Sequence, residues 1–132
     1  MTRFFLFLIF CFPIMSSFGQ TQNDLNEKAQ KDYQKADKEL NAVYQKILKD
    51  YNQDTVFIKN LINAQRIWLQ FRDAEMKAKY PDREEGYYGS VQPMCWSIYK
   101  TELTDDRTKT LKVWLKGIEE GNVCSGSVKP KN

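Results

Sequence analysis

From Leu25 onward, apolar side chains fall at Ala29, Tyr33, Ala36, Leu40, Val43 or Tyr44, Ile47 and Tyr51, in steps of three and four. That spacing keeps every one of them on a single stripe of a long helix and is incompatible with the alternation of a strand. A polar break, Asn52-Gln53-Asp54-Thr55, comes next, and either Asp54 or Thr55 can cap the second helix. A second stripe then runs through Phe57, Leu61, Ala64, Trp68, Phe71 and Ala78.

The stretch from Tyr80 to Gly89, with Pro81, Gly86 and Gly89, has no helical period and reads as a loop. Ser90 is placed to cap a third helix with Pro93 in its first turn. The third stripe is Val91, Cys95, Ile98, Leu103, Leu111, Trp114 and Ile118, and Gly121 is the expected terminator. Three amphipathic helices with short connections predict an all-α fold, a small antiparallel bundle, over residues 20–121. Residues 122–132 read as a flexible tail.

The amino terminus predicts export. One basic residue, Arg3, precedes the apolar run Phe4 to Phe12, and small side chains stand at Ser17 and Gly19. This is the pattern of a signal peptide cleaved after residue 19, and the run is shorter than the roughly 20 residues of a membrane span. A lipid anchor at Cys11 is the rival reading, but the bulky Leu8-Ile9-Phe10 ahead of it lacks the usual small residues. Cleavage leaves 113 of the 132 residues, one domain's worth, and removes Arg3, so the net charge falls from +3 to +2. The charges are interspersed along the helices, as in Asp32 to Glu39, which argues against a nucleic-acid partner.

Chemistry is limited by the absence of histidine, the commonest general base and metal ligand. Of the carboxylate pairs, Asp73 and Glu75 lie about 200° apart around a helix, and Glu84 and Glu85 sit in a loop without an apolar wall. The expectation is a binding protein with no catalytic residues, no metal and no cofactor. The densest cluster is Gln65 to Glu75, where charges crowd around Trp68 and Phe71, and Arg107 lies in register with Leu103 and Leu111. Arg72 and Arg107 are expected to pair with Asp73 and Glu75 across the bundle and fix its register. A recognition site built on the same residues is the competing reading.

The helices and this cluster resemble the lysozyme inhibitor LprI-like family of small exported bacterial proteins. The matching residues are Thr21-Gln22, Leu25-Asn26, Ala29, Ala36-Asp37, Leu40-Asn41 and Tyr44, then Ala64-Gln65-Arg66, Trp68, Phe71-Arg72-Asp73 and Glu75. Gly89-Ser90, Pro93-Met94, Glu102-Leu103-Thr104, Arg107-Thr108 and Leu111 complete the pattern, which spans nearly the whole mature chain. Family members carry cysteines where this chain has Lys28, Met76 and Tyr99. What the resemblance implies is a partner that is a lysozyme or another exported protein, with Arg66, Trp68, Phe71, Arg72, Asp73, Glu75, Thr104 and Arg107 as structural motif residues.

An inhibitor must occlude a substrate cleft with a projecting element, and the loop bearing Tyr80, Glu84, Glu85, Tyr87, Tyr88 and Ser90 is the natural one. The alternative is that its tyrosines cap the open end of the bundle. A chain of net charge +2 gains no long-range attraction to a cationic lysozyme. An envelope adaptor without inhibitory activity is the second reading, and a wall-sugar binder a third. Cys95 and Cys124 are expected to stay unpaired. A helix from Cys95 to Glu119 rises about 36 Å, and the five residues onward to Cys124 reach back at most roughly 17 Å.

Overall fold

The computed structural model describes residues 21–131; the leader reading falls on residues 1–19 and so lies outside them. It contains three helices, α1 (Gln22–Asp50), α2 (Thr55–Lys79) and α3 (Gln92–Lys116). Among the described residues the only extended pairing is an isolated bridge between Ile118 and Pro130. The all-α bundle expected from the periodicity is the fold observed.

Local chemistry sets each start. Thr21 Oγ1 accepts the Asp24 amide at 3.2 Å and the Asp24 carboxylate accepts the Thr21 amide at 3.0 Å, a capping box that opens α1. Of the two candidates for α2, Asp54 is the cap, its carboxylate accepting the Phe57 amide at 2.9 Å. The Ser90 reading is corrected: α3 begins after Val91 with no side-chain cap, and the exposed Ser90 instead offers its carbonyl to Asn26 Nδ2 at 3.2 Å. Pro93 in the first turn removes one amide that would otherwise need a partner, so the missing cap costs little.

The chain runs up, down and up, so α1 and α3 are parallel: Asn26 meets Ser90, Gln30 meets Ser97 and Tyr51 meets Trp114. These two helices approach closely along their lengths, while α2 stands further off and reaches them through long side chains. Small residues make the close approach possible: Ala29 and Ala36 are buried on α1, and Ser97, Thr104 and Thr108 on α3. The threonine hydroxyls donate to carbonyls one turn earlier, Thr104 to Lys100 at 2.7 Å and Thr108 to Thr104 at 2.9 Å, so their burial leaves no orphaned group. The stripe expected on α3 is therefore rotated: Val91 and Ile98 are exposed, and the small polar residues face inward. The apolar core gathers at the other end of the molecule, in Leu40, Val43, Ile47, Tyr51, Leu61 and Leu111.

Two further expectations are corrected there. Helix α3 stops at Gly117 rather than Gly121, because Gly117 has φ +71° and a Cβ on it would meet the Lys129 carbonyl and the Lys131 backbone at 3.0 Å. And the segment read as a flexible tail folds back: the Ile118 amide donates to the Lys129 carbonyl and the Lys131 amide to the Ile118 carbonyl. Tyr51 fastens this strap, its hydroxyl donating to the Trp114 carbonyl at 2.8 Å and accepting the Lys129 amide at 3.1 Å. The Trp114 indole donates to Ser127 Oγ at 3.0 Å. The reading of 122–132 as a flexible tail rests on its place at the chain end, whereas Tyr51 and Asp50, two of the partners that hold the strap, lie far away in sequence.

Candidate functional site

The loop between α2 and α3 is built on an aromatic pedestal. Tyr80 ends α2, and its ring packs against Trp96 of α3 at 5.7 Å between centroids and edge-on against Tyr88 at 5.8 Å. Tyr88 in turn donates its hydroxyl to the Pro81 carbonyl at 2.8 Å, which closes the loop on itself. Burial, the leading cause, raises the Tyr80 hydroxyl above its ordinary pKa of 10.0, with Cys95 and Glu102 adding to the effect. Beneath it, Lys79 Nζ lies 3.5 Å from the centroid of the Tyr99 ring, and Tyr99 donates to Glu75 at 3.4 Å.

Tyr87 is different. It stacks edge-on against Tyr88 at 4.9 Å yet remains 62% exposed, with Arg83 over its face at 5.7 Å. Glu84 and Glu85 are exposed beside it, and Ser90 is exposed at the loop's far end. Tyr80 and Tyr88 are therefore packed against this end of the bundle, while Tyr87, Glu84 and Glu85 lie exposed. Trp96, which anchors the pedestal, has no role in the sequence reading, and Tyr99 enters there only as a position where family members carry cysteine. The aromatic spacing Trp96-Tyr99, three apart on one helix face, was the available signal.

The motif residues of α2 sort differently from the expectation. Arg72 is 8% exposed and pairs with Asp73 at 3.0 Å and, across to α1, with Asp37 at 3.8 Å. Arg107 meets no carboxylate among the described residues: its Nε donates to the buried Gln65 at 3.0 Å. Both guanidiniums flank one ring, Arg72 at 5.4 Å and Arg107 at 5.9 Å from the Trp68 centroid. The expected pairing of Arg107 with Asp73 or Glu75 is thus corrected. Gln65 occupies the inward position at the level of Arg107, and Glu75 is taken by Tyr99. Thr104 lies fully buried in the α1–α3 seam.

Phe71 is corrected too. It is 51% exposed, as is Ile67 at 53%, on the outer face of α2, while Gln65 and Arg72 turn inward. Arg66 is exposed and donates to Asn63 at 2.8 Å. Met76, at one of the positions where family members carry cysteine, is buried instead. Cys95 is half-buried and Cys124 exposed, and the two are not bridged to each other. No group of three or more acidic, histidine or cysteine residues among the described residues could hold a metal. None of the described helices is long and apolar enough to cross a membrane.

No solved structure matches the chain. An uncharacterized protein of Rhizobium meliloti (strain 1021) is 33% identical over 110 residues, covering 75% of this chain and 77% of that protein. The family model for lysozyme inhibitor LprI matches residues 15–111, which takes in α1, α2, the tyrosine loop and all but the last turn or so of α3. The chain belongs to the lysozyme inhibitor LprI family.

Proposed function

We propose that this protein is exported and inhibits a lysozyme by placing the loop from Tyr80 to Ser90 across the substrate cleft. The observation that carries the reading is the pairing of family membership with a projecting aromatic on a fixed base: Tyr87 is exposed, while Tyr80 and Tyr88 beneath it are packed and hydrogen-bonded. A rigid, amphipathic side chain that is already oriented loses little entropy on binding, which is why tyrosine serves so well at interfaces.

The test is the rate at which lysozyme clears a suspension of cell walls, with and without the purified mature chain. Slowed clearing that saturates near one equivalent is expected for at least one lysozyme type; unchanged rates across several types at saturating protein would end the inhibitor reading. A second reading, an envelope adaptor, is favoured by one observation: Ile67 and Phe71, one turn apart on the outer face of α2, are both about half exposed. Capture of an exported partner that depends on Phe71, without any effect on lysis, would support it.

A further inference from the structure

Between α2 and α3, at the strap end of the bundle, lies an open groove of 440 Å³. Phe57, Leu61, Ala64, Leu111 and Trp114 give it apolar walls, and Arg107 is the one cation among the described residues that lines it. The volume and the mostly apolar lining fall in the range of small-molecule sites. It exists because α2 stands away from α3 here; Val56 lines the groove while staying largely exposed, and Ile67 is exposed.

Arg107 is the unusual wall residue. Arg72, the other arginine on Trp68, has two carboxylates within 4.0 Å, whereas Arg107 has none among the described residues. A guanidinium carries five N–H donors, and the hydrogen bond to Gln65 engages only the one on Nε. Burial also lowers its pKa, the mark of a cation that has lost water without gaining an anion.

The other polar groups narrow the ligand. Besides Arg107, the polar side chains among the described lining residues are Asp54, which accepts the Phe57 amide, Ser127, which accepts the Trp114 indole, and Asn60. A peptide would bring an N–H and a C=O at every residue, more polar groups than these few side chains can pair along an apolar floor. An alkyl chain brings none. Asp54 at the far end of the groove repels an acid group there, so the acid end belongs at Arg107.

We infer that this groove binds an aliphatic carboxylate, its headgroup on Arg107 and its chain lying between Phe57, Leu61, Leu111 and Trp114. The site is separate from the tyrosine loop and does not depend on lysozyme inhibition. Dodecanoate and dodecyltrimethylammonium, below their micelle concentrations, and dodecanol, below its solubility limit, are titrated into the mature protein and followed by calorimetry and tryptophan fluorescence. Dodecanoate is expected to bind with one-to-one stoichiometry and roughly ten-fold tighter than either comparator, a difference of about 1.4 kcal/mol. Arg107→Leu should erase that preference while the dodecanol affinity persists. Because Arg107 also holds Gln65, Ala64→Phe serves as a second variant that fills the groove and leaves the guanidinium in place; it should abolish binding of all three. Equal affinity for the three amphiphiles, no binding of dodecanoate, or binding untouched by Ala64→Phe would overturn the inference.

Discussion

The two ends of the bundle are built from the same kind of side chain and finished in opposite ways. At one end Tyr51, Phe57 and Trp114 pack together, with centroids 5.0 Å and 5.8 Å apart, and the carboxy-terminal strap is tied over them by the Tyr51 hydroxyl. At the other end Tyr80, Tyr88 and Trp96 form a comparable cluster, but only a short loop spans it, and that loop leaves Tyr87 standing out. Aromatic clustering alone therefore does not tell a closed end from one that leaves an aromatic exposed. What differs is the cover: the strap is tied over one cluster, and the short loop leaves Tyr87 outside the other.

The strongest way to break the comparison is to empty the covered end. Leu111→Ala removes a side chain that is 1% exposed in the main core and should cost about 2–5 kcal/mol, read from urea unfolding. A loss below about 1 kcal/mol would mean that the strap end is not the better-packed one. Next in size is Tyr51→Phe, which deletes the hydroxyl that joins the Trp114 carbonyl to the Lys129 amide and should cost about 1 kcal/mol. Hydrogen exchange sharpens it: the Lys129 amide should lose protection in the variant while the amides of mid-α1 keep theirs.

At alkaline pH the loop end should be the weaker. Burial first, then neighbouring acidic groups, raise both Tyr80 and Tyr99 above 10.0 in the folded state, so the native protein holds these protons more tightly than the unfolded chain does. Their contribution is complete below pH 10.0 and is lost as pH climbs through the folded values. The melting temperature should therefore fall above that point, and less so in Tyr80→Phe. The smallest effect is expected for Tyr87→Ala, within about 0.5 kcal/mol, because the side chain projects from the cap rather than forming it. A larger loss would make Tyr87 part of the cap and remove the contrast between the two ends.

The long stripe of α1 was legible because its buried residues, Ala29, Ala36, Leu40, Val43, Ile47 and Tyr51, are apolar and regularly spaced. The loop's position was legible from its proline and glycines. Helix α2 misled, since its apolar residues Ile67 and Phe71 face solvent while Gln65 and Arg72 face inward, an inversion that hydrophobic spacing reads backwards. Helix α3 was ambiguous for a related reason. Its closest seam with α1 is made of Ser97, Thr104 and Thr108, chosen for size and able to satisfy or share their own hydroxyls. The strap was invisible because a few long-range hydrogen bonds, not a pattern within 122–131, hold it.

The division of labour between the two ends is tested most directly by lysozyme clearance of cell walls in the presence of Tyr87→Ala, compared with the unaltered chain and with Phe71→Ala. Tyr87→Ala should lose inhibition while keeping its helicity and unfolding midpoint, and Phe71→Ala should inhibit as well as the parent. Full potency in Tyr87→Ala, or its loss in Phe71→Ala alone, would contradict the assignment of recognition to the tyrosine loop.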